Sequence, residues 1–255
     1  MAAHSQRNPG GKSGLPDPEK SYTSHHYMKL VLFDLDNTLL AGDSDYAWGQ
    51  FLIDRGIVER TNYEQKNEYF YQQYRQGTLN IQEFLAFQLQ TLARHDIKQL
   101  DTWHAEFMQQ YIFPMMTSDA KAAVDAALAS TEYVAIITAT NRFVTAPIAA
   151  AFGVRHLIAT EPEQIDNRYT GKVQGTPCFQ QGKITRLHEW LSSLNVRLDQ
   201  FDESWFYSDS RNDLPLLQQV THPVAVNPDP TLQQHANQHQ WPVLHWQTTT
   251  ARHDS

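Results

Sequence analysis

The sequence predicts an α/β protein, with a Rossmann-like, three-layer core built on a parallel sheet and interrupted by an inserted helical cap. Three observations predict it. Short apolar runs of strand length each end at a polar residue, amphipathic helices alternate with those runs as βαβ units require, and between residues 41 and 116 the strand pattern gives way to helix alone. A chain of 255 residues has room for one large core and a smaller insertion.

The first run, Lys29 to Phe33, reads as a buried strand that delivers Asp34 at its C-terminal end. A helix from Asp119 to Leu128, capped by Ser118, leads to a second strand, Tyr133 to Ile137, which ends at Thr138. Helix Asn141 to Phe152 closes at Gly153, and a short strand follows over His156 to Ala159. Helix Lys183 to Leu194 carries Ile184, Leu187, Trp190, Leu191 and Leu194 on one stripe. Strand Trp205 to Ser208 then ends at Asp209, and Val224 to Val226 supplies a further strand.

Within the insertion, one helix runs from Ser44 to Arg55 before Gly56. A second carries Tyr63, Asn67, Phe70 and Tyr74 and stops at Gly77. Ile81, Phe84, Leu85, Leu89 and Leu92 mark a third, and Leu100, Trp103, Phe107 and Tyr111 a fourth. The expected organisation is therefore a core made of residues 28–40 and 117–255 and a four-helix cap over 41–116. Residues 1–27, rich in Gly, Pro, Ser and charge and without periodicity, read as a disordered tail ahead of Met28.

Composition narrows the function. A formal net charge of -8 with no clustered Lys and Arg excludes a general electrostatic grip on nucleic acid, and no apolar run reaches membrane-span length. A single cysteine, Cys178, rules out an intrachain disulfide framework, which fits a reducing, cytoplasmic setting. The expected partner is a small phosphorylated metabolite, for a reason that lies at the strand ends.

Asp34 and Asp36, Thr138, Lys183, and Asp209 with Asp213 all fall at or near the edge of a parallel sheet where ligands bind. Two carboxylates one residue apart repel unless a cation sits between them, and Mg2+ is suited because it shares hard carboxylate oxygens with phosphate and water. Asp209 completes the ligand supply. Thr138 can donate a hydrogen bond to a phosphoryl oxygen, and Lys183 can place a point charge on it.

Taken in order, Asp34-Leu35-Asp36-Asn37-Thr38, Ile137-Thr138, Lys183, and Ser208-Asp209-Ser210-Arg211-Asn212-Asp213 resemble the four motifs of the haloacid dehalogenase superfamily. The likeness spans residues 29 to 227. The insertion after the first motif, and Thr170-Gly171-Lys172-Val173 ahead of Lys183, are similar to the phosphoserine-phosphatase-like branch, subfamily IB with its C1-type helical cap. The resemblance implies Asp34 as nucleophile, Asp36 as acid and base, Thr138 and Lys183 as phosphoryl stabilisers, and Asp34, Asp36, Asp209 and Asp213 around Mg2+. The chemistry agrees: a carboxylate nucleophile divides phosphoester hydrolysis into formation and breakdown of an aspartyl phosphate.

Substrate choice is expected from the cap and from Gly42-Asp43-Ser44-Asp45-Tyr46. Residues 41 to 116 hold ten acidic residues against six Lys or Arg, which favours a substrate bearing an amine. Asp43, Asp45 and Asn141 are the candidate substrate residues. The wording Ile137-Thr138-Ala139-Thr140-Asn141 and Tyr207-Ser208-Asp209-Ser210 is similar to branch members assigned to histidinol phosphate and to phosphoserine. The expected reaction is hydrolysis of a small amino-alcohol phosphate. Phosphoryl transfer to an acceptor other than water, or a module that binds phosphate without turnover, are the alternatives.

Overall fold

The computed structural model describes Met1 and residues 27–246; the tail expected over 1–27 therefore lies almost wholly outside the described residues. In chain order the core and cap comprise β1 (Lys29–Phe33), α1 (Ser44–Asp54), α2 (Arg60–Gln76), α3 (Ile81–Ala93), α4 (Ile97–Phe107) and the short α5 (Phe113–Met115). The chain then returns to the core with α6 (Ser118–Ser130), β2 (Tyr133–Asn141), α7 (Arg142–Ala151), β3 (His156–Ile165), β4 (Arg168–Gln174) and α8 (Gln181–Ser193). It closes with β5 (Glu203–Ser208), α9 (Leu214–Leu217), β6 (His222–Val226), α10 (Pro230–His239) and β7 (Val243–Leu244). Among the described residues no helix is long and apolar enough to cross a membrane.

The sheet runs β4-β3-β2-β1-β5-β6-β7, with every pairing parallel except β3 with β4. β1 is central and covered on both faces, which is why it reads as unbroken apolar residues rather than as an alternation. Its side chains divide between two clusters. Val31 and Phe33 face one that includes Trp48, Phe51 and Phe107, while Leu30 and Leu32 face one that includes Leu187, Leu191 and Phe206. These are the outer layers of the three-layer core.

The first cluster is shared between core and cap. Trp48 of α1 lies edge-on to Phe143 of α7, with centroids 5.4 Å apart, and His104 of α4 donates its Nε2–H to the Val144 carbonyl at 2.8 Å. Burial holds the His104 imidazole below its ordinary pKa, so the neutral ring suits this contact. The two connections into the cap are also joined: Leu40 and Met116 form an antiparallel bridge, and Ala41 N–H donates to the Met115 carbonyl at 2.8 Å. Gly42 is where the connections approach closely, since a Cβ there would lie 2.5 Å from Met115 Sδ.

Three local expectations change. Thr117, not Ser118, caps α6, its Oγ1 accepting from Ala120 N–H at 3.2 Å. β3 does not stop at Ala159 but runs to Ile165 and folds back as β4, a hairpin turned by Asp166 and Asn167, both in the left-handed region (φ 49 and φ 59). Asp and Asn are the non-glycine residues that tolerate that conformation. The hairpin is supported by the cap, since a Cβ on Gly171 of β4 would meet Ala93 Cβ at 3.4 Å. A further edge strand, β7, pairs with β6.

α1 and α2 touch at Gly49, where an added Cβ would lie 2.6 Å from Asn67 Nδ2. In an exposed helix, Gly→Ala stabilises by roughly 1 kcal/mol; here overpacking reverses the sign. Gly49→Ala is expected to lower the unfolding free energy by about 1–3 kcal/mol in urea titration. Unchanged or increased stability would contradict this packing.

Candidate active site

Asp34 continues the pairing of β1 for one residue, its N–H donating to the Tyr207 carbonyl at 2.9 Å, before the backbone turns. The turn is tight. Asn37 takes a left-handed conformation (φ 57) and donates its N–H to the Gly42 carbonyl at 2.9 Å, while Leu40 N–H reaches the Leu35 carbonyl at 3.0 Å. Asp34, Asp36 and Thr38 are all buried there. Thr38 ties this loop to the end of β5, since its Oγ1 donates to Asp209 Oδ1 at 3.1 Å and accepts the Asp209 N–H at 3.0 Å.

Lys183 reaches the same place from the start of α8, and its Nζ donates to Asp34 Oδ1 and to Asp213 Oδ2, both at 2.7 Å. Asp213 Oδ2 also accepts from Ser208 Oγ at 2.7 Å. Burial alone would lower the Lys183 pKa, but Asp213 and Asp34 outweigh it and keep the amine protonated. The approach of α8 depends on Gly182, because a side chain there would collide with the Pro177 carbonyl.

Asp36 sits in a separate hydrogen-bonding environment. Oδ1 accepts Ser44 N–H at 2.7 Å and Oδ2 accepts Thr140 Oγ1 at 2.9 Å, with Thr138 Oγ1 at 3.5 Å. Burial, then the charge of Asp43, pushes the Asp36 pKa up to about 6, against the pull of these donors. Asp34 is pushed up to about 7 by burial, with Lys183 opposing. Asp209 is held well above the usual carboxylate range by burial and then by Asp34 and Asp213. Four buried carboxylates thus share one buried ammonium, an imbalance that suits a hard cation. Among the described residues no three His, Cys, Asp or Glu side chains converge closely enough to hold a metal alone. A cation here would therefore need water or substrate oxygens as well, as Mg2+ commonly does.

Between core and cap lies a cavity of ≈ 40 Å³, lined on the core side by Asp34, Asp36, Thr138 and Thr140. The cap side contributes Asp43, Asp45, Tyr46, Asn67, Phe70, Tyr71, Tyr74 and Phe84. Among the described residues no Lys, Arg or His lines it. The cap is seated over the core: Asn212 Nδ2 donates to the Tyr74 carbonyl at 3.2 Å, and the Arg211 guanidinium lies against Gly77.

The site thus brings together Asp34, Asp36, Thr138, Lys183, Asp209 and Asp213, with Asp43 and Asp45 at the cavity wall. Asn141 is not among the lining residues; it caps α7, with its Oδ1 accepting Val144 N–H at 3.3 Å. Asp213 makes no capping bond to α9 and instead holds Lys183. Sequence reasoning missed Thr38, Thr140 and Ser208 as parts of the hydrogen-bond network. Thr140 had a signal, since it lies two residues beyond Thr138 and so shares its face of an extended strand.

A family model described as haloacid dehalogenase-like hydrolase matches residues 31–218. The chain is 44% identical over 218 residues to a histidinol-phosphatase of Neisseria meningitidis serogroup C, covering 85% of this chain and 98% of the relative. A solved protein of unknown function from Bordetella pertussis shares 46% identity and a TM-score of 0.82, covering 86% of this chain and 99% of that one. A phosphoserine phosphatase solved with a phospho-aspartyl intermediate analogue matches at TM-score 0.62 and 17% identity, over 86% of this chain and 94% of that one; it shows the shared fold.

Removing the lone ammonium exposes its role. Lys183→Met at pH 8 leaves Asp34 and Asp213 buried without their cation and is expected to lower the unfolding free energy by about 3–5 kcal/mol. Adding Asp213→Leu should recover part of that loss. Urea denaturation measures both; a single-variant loss below about 1 kcal/mol would contradict the assignment.

Proposed function

Because the chain belongs to the haloacid dehalogenase-like hydrolase family and is a phosphatase, we propose that it hydrolyses a small amino-alcohol phosphate through an aspartyl phosphate on Asp34, with Mg2+ bound. The observation that carries this reading is the pair of strand-end carboxyls with divided environments. Asp34 is held by Lys183, whereas Asp36 is held by neutral donors, the Ser44 N–H and the Thr140 hydroxyl.

In this mechanism an Asp34 oxygen attacks phosphorus while Lys183, already 2.7 Å from that carboxylate, orients it and faces the charge gathering on the phosphoryl oxygens. The Thr138 hydroxyl donates to a phosphoryl oxygen. Protonated Asp36 gives its proton to the leaving alkoxide; now ionised, it takes a proton from the water that attacks the aspartyl phosphate and releases Asp34. A pKa near 6 lets Asp36 serve in both directions near neutral pH. Asp34, Asp36, Asp209 and Asp213 are the proposed Mg2+ neighbours, and the bound ion would supply charge neutralisation between phosphate and carboxylates.

Histidinol phosphate is favoured over phosphoserine. Phosphoserine carries a carboxylate that needs a cation, and no Lys, Arg or His among the described residues lines the cavity. A histidinol-phosphatase at 44% identity supports the same choice. In a panel of phosphomonoesters with Mg2+, kcat/KM for histidinol phosphate should exceed that for phosphoserine by at least about 100-fold, the discrimination expected when a buried charge is left unpaired. Asp34→Asn should abolish turnover of both. A flat panel would contradict the substrate, and an active Asp34→Asn the mechanism.

Proton competition offers a second test. With the Asp34 and Asp36 pKa values raised from 3.8 to about 7 and about 6, their contribution to stability is fully present below about 3.8 and is lost as pH rises through those values. A bound cation offsets that loss only where the carboxyls are ionised. The gain in melting temperature on adding Mg2+ should therefore be larger at pH 8 than at pH 5. An equal or smaller gain at pH 8 would contradict the placement of Mg2+ among these carboxylates.

A further inference from the structure

Asp43 and Asp45 lie two residues apart at the start of α1 and both line the cavity, but they are not equivalent. Asp43 is already engaged: it is the N-cap of α1, with its Oδ1 accepting Tyr46 N–H at 2.8 Å. Asp45 is only 4% exposed, and neither of its carboxylate oxygens has a hydrogen-bond partner. Ser44 Oγ, Trp48 Nε1 and Tyr63 Oη are buried and unpartnered as well, and Tyr63 lies near enough for its phenol to feel the Asp45 charge, yet none of the three is bonded to it. A fully buried carboxyl with two free acceptors is among the least favourable arrangements a fold can hold, unless something that visits the cavity supplies the missing donors.

The walls indicate what that visitor is. Phe70, Tyr71, Tyr74 and Phe84, with Leu79 and Ile81, line the same cavity as Asp45, so its cap side is apolar and rich in aromatic rings. Aromatic faces attract a cation, favour a flat ring, and offer nothing to an anion. The phosphate end of the ligand is fixed by Asp34, Thr138 and Lys183 on the core side, so the acceptor on the cap side must receive the other end of the molecule.

From this geometry we infer that Asp45 is the specificity-determining residue, accepting the N–H of a cationic nitrogen, an imidazolium or an ammonium, carried by the alcohol portion of the substrate. The inference rests on the amino-alcohol phosphate reading above and assigns its recognition to one side chain. The phosphoryl chemistry does not use Asp45, so its removal should separate recognition from reaction. A purely structural acidic residue in the first turn of α1 would behave differently, because its loss would weaken the fold and all substrates alike.

The test compares the native chain with Asp45→Asn and Asp45→Ser, each assayed with histidinol phosphate and with p-nitrophenyl phosphate, which has no cation. The expected result is a loss of about 30- to 100-fold in kcat/KM for histidinol phosphate, carried mainly by KM, as for loss of one charged buried hydrogen bond. Turnover of p-nitrophenyl phosphate should stay within about threefold. Calorimetric titration with histidinol, the product alcohol, should show a parallel weakening of binding. If the native chain prefers histidinol phosphate and Asp45→Asn keeps that preference, the assignment of Asp45 is overturned while the substrate reading stands. Equal losses on both substrates, or failure of both variants to fold, make Asp45 structural and also overturn it. A native chain with no preference for the cationic substrate overturns the substrate reading together with this inference.

Discussion

The Lys183 ammonium, enclosed between Asp34 and Asp213, is the interaction on which the rest of the site depends. Four carboxylates are gathered at one sheet edge, and like charges at that spacing are tolerated only with a cation among them. The fold brings Lys183 from 149 residues away along the chain, which requires β1 at the centre of the sheet and α8 to begin where Gly182 can slide under the Pro177 carbonyl. Thr38 then ties the loop after β1 to the loop after β5, and Ser208 braces Asp213 within the latter. Chemistry and stability are therefore linked in the proposed mechanism, because the group proposed to orient Asp34 for attack also makes its burial bearable.

Much of this was legible in the sequence for local reasons. β1 is covered on both faces, so its apolar run starts and stops where the strand does, and Asp34 falls at the edge without any long-range information. The cap helices were readable because each buries one stripe and two of them are closed by glycine, α1 by Gly56 (φ 65) and α2 by Gly77 (φ 72). Illegible features depend on partners distant in sequence. The hairpin of β3 and β4 alternates polar residues and is supported by α3 rather than by its own core, so its second half carried no apolar signal. Asn141 resembled a ligand-facing polar residue because a helix cap and a binding residue share the same chemistry, and only the path of α7 distinguishes them. Asp213 was expected beside a metal, and its contact with Lys183 was hidden because the two lie 30 residues apart.

The cap is less separate than a run of helices suggests. α1 and α4 share an apolar cluster with the core through Trp48, Phe107 and Phe143, and the two connections are bonded to each other, whereas α2 and α3 form the cavity roof. The residues proposed for reaction and for recognition thereby lie on one short stretch of chain: Asp34 and Asp36 at its start, and Asp43 and Asp45 where it enters α1. Ser44 joins the two, since its N–H holds the Asp36 carboxylate at 2.7 Å while its neighbours Asp43 and Asp45 line the cavity.

The central claim, that Asp34 becomes covalently phosphorylated, is tested most directly by trapping. Turnover with substrate and Mg2+ is quenched with borohydride, which reduces an acyl phosphate to an alcohol, and the peptide that contains residues 29–40 is sequenced by mass spectrometry. Homoserine is expected at position 34, formed only when substrate is present. An active protein that yields unmodified Asp34, or modification at another residue, would contradict it.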